Sequence, residues 1–274
     1  MVGPTASAPG SRRSARAKAA PALRIAFATA TALLLASCST APLAPVEPAP
    51  TDTVASFSTA EPGAALPRGW HRWIITPAKR PTRYDLVRDP LNGQVVLHAV
   101  ADNAATGLRQ RLDVDPATAP VVRWQWRVVD LIDGADATDR HAEDSPVRLL
   151  LFFDGDAAKL PARELLLMET ARALTGQVPP YATLVYSWDN KLPAGTVVDN
   201  AHTGRVKLVV AGSGNDRLGK WKAFERDYAA DYRRAFGEAP GRLVGVGILT
   251  DTDNTGRKTE AFYGDIALGA AARP

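Results

Sequence analysis

Val121-Val122-Arg123-Trp124-Gln125-Trp126-Arg127-Val128 alternates without a break. In an extended chain successive side chains point to opposite faces, so Val122, Trp124, Trp126 and Val128 share one face and Arg123, Gln125 and Arg127 the other. That is the pattern of a strand with one side in a core and the other in water. Runs of the same kind cover residues 94–100, 108–114, 183–188, 205–211, 243–250 and 260–268, each bounded by Gly, Pro, Asn or Asp. Residues 147–153 are almost wholly apolar, which predicts a central strand covered on both faces. Two segments break the pattern. Ala162–Thr175 holds helix formers between Pro161 and Gly176, which predicts a helix with a glycine stop. Residues 220–236 place Trp221, Phe224, Tyr228 and Tyr232 on one helical stripe before Gly237, which predicts a second. The expected fold is all-β with minor α: a jelly-roll-like antiparallel β-sandwich with two packed helices.

The 274 residues carry 33 basic and 29 acidic side chains, a formal charge of +4, which by itself would suggest nucleic acid or an anionic surface as partner. The distribution removes that suggestion. Arg12, Arg13, Arg16, Lys18 and Arg24 precede an apolar run over 25–36, and the first acid is Glu47. This is a signal-peptide layout, too short to cross a bilayer as a permanent helix, which takes roughly 20 apolar residues. Beyond it 28 basic residues face 29 acidic ones, so nucleic acid is excluded as an expected partner. The apolar run ends Leu35-Ala36-Ser37-Cys38, which resembles the lipobox of bacterial lipoproteins. Small side chains let an extended segment enter a peptidase, and the Cys38 thiol receives the lipid. Its acyl chains are the expected link to a bilayer. Ser39, where an Asp would favour the inner membrane, points to the periplasmic face of the outer membrane. Cys38 is the only cysteine, so no intrachain disulfide is expected. The expected organisation is a signal peptide over 1–37, a Pro/Ala-rich tether over 38–55 that extends as far as 67 on composition, and a sandwich over 56–270.

Two constellations stand out as candidate sites. Asp251-Thr252-Asp253-Asn254-Thr255, with Asp265 on the returning strand, supplies the hard oxygens that Ca²⁺ prefers. Asp251, Asp253 and Asp265 are therefore the candidate calcium ligands, although the EF-hand spacing and its closing Glu are missing. The plainer reading is a turn shaped by its own Asp and Asn side chains. The second constellation is Trp188-Asp189-Asn190, an aromatic ring beside polar groups, as used to hold a sugar. Trp70 and Trp73 are alternatives for the same part. Together with Asp251, Asp253, Asn254 and Tyr263 these residues form the candidate ligand-binding set. Arg148 interrupts the apolar central strand and must pair with a carboxylate, Asp144 or another. Asp227 and Asp231, four apart beside Arg226, Arg233 and Arg234, read as solvated ion pairs. His71, His98, His141 and His202 show no metal-ligand spacing, and no serine lies in a Gly-x-Ser-x-Gly elbow. No catalytic residue is assigned.

The chain also resembles a bacterial envelope family, the domain-of-unknown-function family 3047. The likeness rests on Leu66-Pro67-Arg68-Gly69-Trp70, Trp124-Gln125-Trp126-Arg127, Asp144-Ser145-Pro146-Val147-Arg148-Leu149, Tyr186-Ser187-Trp188, Asp231-Tyr232-Arg233-Arg234-Ala235-Phe236-Gly237, Thr250-Asp251-Thr252-Asp253-Asn254-Thr255 and Tyr263-Gly264-Asp265-Ile266. It implies an envelope location and no known activity. The closing segment 261–268 is similar to the last strand of jelly-roll carbohydrate-binding modules, where an Asp often helps to hold calcium. The expected function is non-catalytic binding of a glycan or other envelope polymer. The alternatives are a polysaccharide hydrolase or lyase using two of Asp251, Asp253 and Asp265, and a structural partner in an envelope complex.

Overall fold

A computed structural model describes residues 48–271 except 76, 77 and 216. The signal segment, Cys38 and the tether up to residue 47 lie outside the described residues. In chain order the elements are β1 (His71–Trp73), β2 (Arg83–Arg88), β3 (Val95–Asp102), β4 (Ala105–Val114), β5 (Val121–Val128), β6 (Ser145–Phe153), α1 (Ala162–Thr175), β7 (Ala182–Asp189), β8 (Val197–Asp199), β9 (Val206–Ser213), β10 (Lys222–Asp227), α2 (Tyr228–Phe236), β11 (Leu243–Asp251) and β12 (Lys258–Gly269). A seven-stranded sheet runs β1-β4-β11-β6-β7-β9-β8 and packs against a five-stranded sheet, β10-β5-β12-β3-β2. Strand pairs are antiparallel apart from β7 with β9. The fold is the jelly-roll-like β-sandwich that the alternation predicts.

The period of two explains the core. Val122, Trp124, Trp126 and Val128 of β5 meet Val147, Leu149, Leu151 and Phe153 of β6 between the sheets, with Tyr186, Trp188 and Tyr263 beside them. The opposite parity of β6, Leu150 and Phe152, is also buried, in a second cluster with Val185 and Leu249 on the outer face of the seven-stranded sheet. That is why the strand is apolar throughout. The two sheets share both ends of the sandwich. At one end β4, β11 and β6 align at Val114, Leu243 and Phe153; at the other they align at Ala105, Asp251 and Ser145.

Three expectations need correction. Residues 222–227 form an edge strand paired with β5, not the first turns of a helix. Lys222-Ala-Phe224-Glu-Arg226 also satisfies a period of two, and pairing against Trp124 and Trp126 outweighs local helix propensity. The helix starts only at Tyr228, capped by the Asp227 carboxylate accepting the Ala230 N–H at 2.8 Å. Helix α1 exists with its predicted ends and Gly176 at φ +70°. It is not packed as expected, since Glu164 is its only buried residue. Residues 51–55, expected in the tether, also lie on the domain: Thr51 bridges Leu112 and the Ala55 N–H donates to the Gln110 side chain, while Phe57, buried against Trp70, falls within the expected domain. Among the described residues no helix is long and apolar enough to cross a membrane.

Candidate functional site

The turn from Asp251 to Thr255 carries the chain from β11 in one sheet to β12 in the other and meets the end of the long loop between β5 and β6. Asp251 is buried; its carboxylate accepts the Ser145 N–H at 3.3 Å and pairs with the Arg148 guanidinium at 3.3 Å. Burial pushes its pKa up to about 6, with Arg148 acting in the opposite direction. Asp144 accepts the N–H groups of Asn254 at 3.1 Å and Thr255 at 2.7 Å, together with the Thr255 hydroxyl at 2.6 Å. Asp253 pairs with Lys79, and Asn254 donates to the Arg140 carbonyl at 3.1 Å. Oxygens of Asp144, Asp251 and Asp253 lie within 4.8 Å of one another.

Asp265 does not join them, which corrects the expected trio. It lies seven residues into β12, about 24 Å along an extended strand. There its carboxylate accepts the N–H groups of Phe57 at 2.7 Å and Ser58 at 3.0 Å, and the Ser58 hydroxyl. Asp144 takes the third place in the acidic cluster. Ca²⁺ asks for six to eight oxygens, whereas these carboxylates already face Arg148, Lys79 and three backbone N–H groups. In this arrangement the donor set is taken up by protein partners, and the cluster is a clasp between two loops. Added calcium or EDTA is expected to leave the thermal midpoint within about 2 °C of its original value, since a ligand stabilises only the state that binds it. A calcium-dependent rise of about 5 °C or more in a melting experiment would restore the metal reading.

The aromatic candidates are also committed to structure. Trp188 is 3% exposed and its indole N–H donates to the Gly214 carbonyl at 2.9 Å. Asp189 accepts the N–H groups of Lys191 and Leu192, and Asn190 donates to the carbonyls of Ile132 and Ala135. Tyr263 is buried, its hydroxyl bonded to Thr250 and the Leu249 carbonyl at 2.8 Å. Trp70 is buried and donates to the Ala55 carbonyl at 2.9 Å. As a stacking surface this set is corrected: the rings lie between the sheets because their strand parity points inward. Arg148 pairs with Asp251 in place of the suggested Asp144. Asp231 is buried, not solvated, and receives Arg226, Arg234 and the Tyr186 hydroxyl. Asp227 serves as the helix cap.

The structure assembles a different surface, on the outer face of the seven-stranded sheet. Gly107 of β4 and Gly245 and Gly247 of β11 carry no side chain there. A Cβ on Gly107 would come within 3.0 Å of the Trp73 ring, and one on Gly247 within 3.1 Å of the Phe152 ring. These glycines let the two rings lie close on the backbone, 5.4 Å apart and edge to face. The apolar strip continues through Leu150, Leu249 and Val185 to Val206 and Leu208. At that end a small recess of about 30 Å³, close to the size of one water molecule, is bounded by Val185, Val198 and Leu208, with Glu143, Arg148, Asp199 and Asn200 as its polar groups. On the same face, Ser187 Oγ and Arg148 Nε are buried with no hydrogen-bond partner among the described residues. The signal available in the sequence was the apolar run Leu149–Phe153 of β6 and the Gly245-x-Gly247 spacing.

Fold and surface together define a jelly-roll sandwich with an apolar outer face on its larger sheet. The chain belongs to the family described as protein of unknown function (DUF3047), whose model matches residues 68–267. Among solved structures it is similar to an arabinose-bound GH51 α-L-arabinofuranosidase, with 10% identity, TM-score 0.37, and 78% of this chain and 25% of that one covered. The chain thus spans about a quarter of that enzyme's length. The xyloglucanase domain of NopAA from Sinorhizobium fredii, in complex with cellobiose, shares 7% identity at TM-score 0.41 over 81% of this chain and 100% of that one. A family 12 xyloglucanase from Bacillus licheniformis shares 6% at TM-score 0.41, over 80% and 99%. No curated protein matches the chain.

Proposed function

We propose that this chain is a lipoprotein, anchored through acyl chains on Cys38 to the periplasmic face of the outer membrane, whose sandwich binds a glycan or other envelope polymer without catalysis. The observation that carries the binding reading is the outer face of the seven-stranded sheet. It sets Trp73, Val206 and Leu208, all half-buried, around a buried row of Leu150, Phe152, Val185 and Leu249, in place of the polar side chains that a solvated sheet face carries. The strip crosses the strands from β1 to β9, five spacings or about 24 Å. That length suits several sugar rings of an extended polymer. Their apolar faces would lie on the strip, and their hydroxyls would meet Glu143, Asp199 and Asn200 at the recess.

The geometry favours binding over hydrolysis. Glycosidic chemistry needs two facing carboxyls separated by roughly 5 to 9.5 Å. Asp251 and Asp253 converge to within 4.8 Å and are held by Arg148 and Lys79, while Asp265 sits on the other sheet. The test is retention of the purified full chain on cell-wall and exopolysaccharide fractions. Trp73→Ala and Leu208→Arg are each expected to weaken retention about tenfold, as loss of a central apolar contact does. Asn200→Ala, which also removes the acceptor of the His202 and Thr203 N–H groups, is a third variant, to be read beside its melting curve. Failure of the wild type to bind any fraction, or unchanged binding by Leu208→Arg, overturns the reading.

A further inference from the structure

The outer face of the five-stranded sheet carries an open trough of about 370 Å³ that crosses β10, β5 and β12. Small-ligand sites run from roughly 300 to 1,000 Å³, so this trough has the room that the recess on the other sheet lacks. Period-two alternation places its lining. Arg123 and Gln125 are the outward positions of β5, and they stand in register with Glu225 and Ala223 of β10. On the other side Ala267 of β12 lies opposite Arg123. Farther along, β12 is irregular between Tyr263 and Ile266, and the Gln125 side chain lies over Gly264 so closely that a Cβ there would not fit. Ala223 and Ala267 are exposed and offer only methyl groups, which makes them the floor; Arg123, Glu225 and Asp265 stand around it.

The charges around the trough are already balanced, and that decides what can occupy it. The Arg123 guanidinium donates to both Glu225 oxygens, at 2.9 and 3.2 Å, with the two side chains 39% and 53% exposed. The Asp265 carboxylate accepts from Phe57 and Ser58. An anion would have to displace Glu225 from Arg123, and a cation would have to displace Arg123 from Glu225. An apolar chain would strip water from the ion pair and return no hydrogen bond. A hydroxyl has one donor and two acceptor sites, so it can accept from Arg123 and donate to Glu225 while the pair stays together. Gln125 adds a neutral amide beside them. Its contact with the Gln94 amide is 3.4 Å long, beyond the usual range, which leaves it able to bond more strongly to a ligand.

We propose that this trough is a second binding site, on the sheet opposite the apolar strip, and that it takes a neutral oligosaccharide segment. Hydroxyls bond to Arg123, Gln125 and Glu225, and the C–H face of a ring rests on Ala223 and Ala267. Strand β10 ends the order of its sheet, so the trough opens at an edge past which a longer polymer can run. The site shares the ligand class of the strip reading but none of its residues, and either can fail without the other. A neutral ligand on paired charges gains nothing from long-range attraction, so its affinity should hardly respond to salt.

The purified full chain is titrated by calorimetry with cellohexaose, laminarihexaose and mannohexaose as neutral probes and hexagalacturonate as the acidic control, and amide hydrogen exchange is followed with each. At least one neutral probe is expected to bind and to slow exchange over residues 121–127, 222–227 and 264–269 about threefold or more. Its affinity should stay within about twofold between roughly 0.05 and 0.5 M salt. Ala223→Ile combined with Ala267→Ile fills the floor at two exposed positions with a residue that suits a strand. It is expected to weaken binding about tenfold and to leave the melting point within about 2 °C. Gln125→Ala, which removes the amide without adding bulk, should weaken it about threefold. Binding by hexagalacturonate that falls about tenfold over the salt range would assign the trough to anions and overturn the proposal. Neutral-probe binding that both variants leave unchanged overturns it as well. Slowed exchange over 105–109 and 245–249 instead overturns the trough and supports the strip. Binding by none of the neutral probes overturns the trough and leaves the strip to its own retention test.

Discussion

Arg148→Met is expected to lower the free energy of unfolding by about 3 to 5 kcal/mol at pH 8, the usual cost of removing one partner from a buried ion pair. Arg148 and Asp251 have side chains only 13% and 8% exposed, so solvent does little to screen the loss. The guanidinium also donates to the Glu143 carbonyl, tying the β5–β6 loop to the sheet. The effect depends on pH in a definite sense. Asp251 has a folded pKa raised by burial to about 6, above its ordinary 3.8. The native state therefore binds its proton first, and this group's contribution to stability falls as pH rises between about 4 and 6, by roughly 3 kcal/mol in all. Below that window Asp251 is neutral in the wild type as well, and there is less of an ion pair to lose. The cost of Arg148→Met should accordingly shrink on acidification through pH 6. Urea unfolding of both proteins at pH 5 and pH 8 measures it. Arg148→Met combined with Asp251→Leu should recover most of the loss, because the uncompensated charge goes too. An equal cost at both pH values would mean that Arg148 acts through packing alone.

Asp265→Ala is expected to cost about 2 to 4 kcal/mol, and the loss should be local. The carboxylate accepts two backbone N–H groups and a hydroxyl from Phe57 and Ser58, and charge-assisted bonds of this kind are among the stronger ones. Without it, the segment from Thr51 to Pro67 keeps its bridge to Leu112 and the Gln110 side-chain bonds to Thr51, Thr53 and Ala55, but loses its clamp to the five-stranded sheet. Phe57 then leaves its seat 5.2 Å from the Trp70 ring. Hydrogen exchange of the Phe57 and Ser58 amides should quicken, with cleavage between residues 51 and 67 by added protease. Asp265→Asn keeps an acceptor oxygen and should lie between the two. Unchanged protection of those amides in Asp265→Ala would show that the apolar seat of Phe57 suffices by itself.

The two residues illustrate how far residue patterns reach. Asp265 looks from the chain like a partner of Asp251, because both are acids on either side of one hairpin. The long strand that separates them carries Asp265 to the other sheet and to a segment more than 200 positions away in sequence. No local signal reports that meeting. Arg148 was legible as a residue that must pair, since a guanidinium in an apolar strand has no other option; only the register of β11 against β6 made Asp251 its partner.

The same division runs through the site. Trp188 was attractive as a sugar platform because polar groups follow it, yet its strand parity sends it inward with Tyr186. Trp73 is carried by a strand of three residues, too short for alternation to be read. Its place on the outer face depends on Gly107 of a neighbouring strand that it meets only after folding.

Period-two alternation, turn residues and the helix stop at Gly176 act within a few residues of themselves. For that reason the sequence by itself determined the sandwich class, eight of the long strands, helix α1 and the expectation of an export signal ending just before Cys38. What only the tertiary structure decided was which side chains share a surface: the clasp of Asp144, Asp251 and Asp253, the seat of Phe57 on Asp265, the apolar strip from Trp73 to Leu208, and the exposure of the α1 leucines. Those follow from long-range register and from sheets folding over one another, and a one-residue change of register would redistribute every one of them between core and solvent.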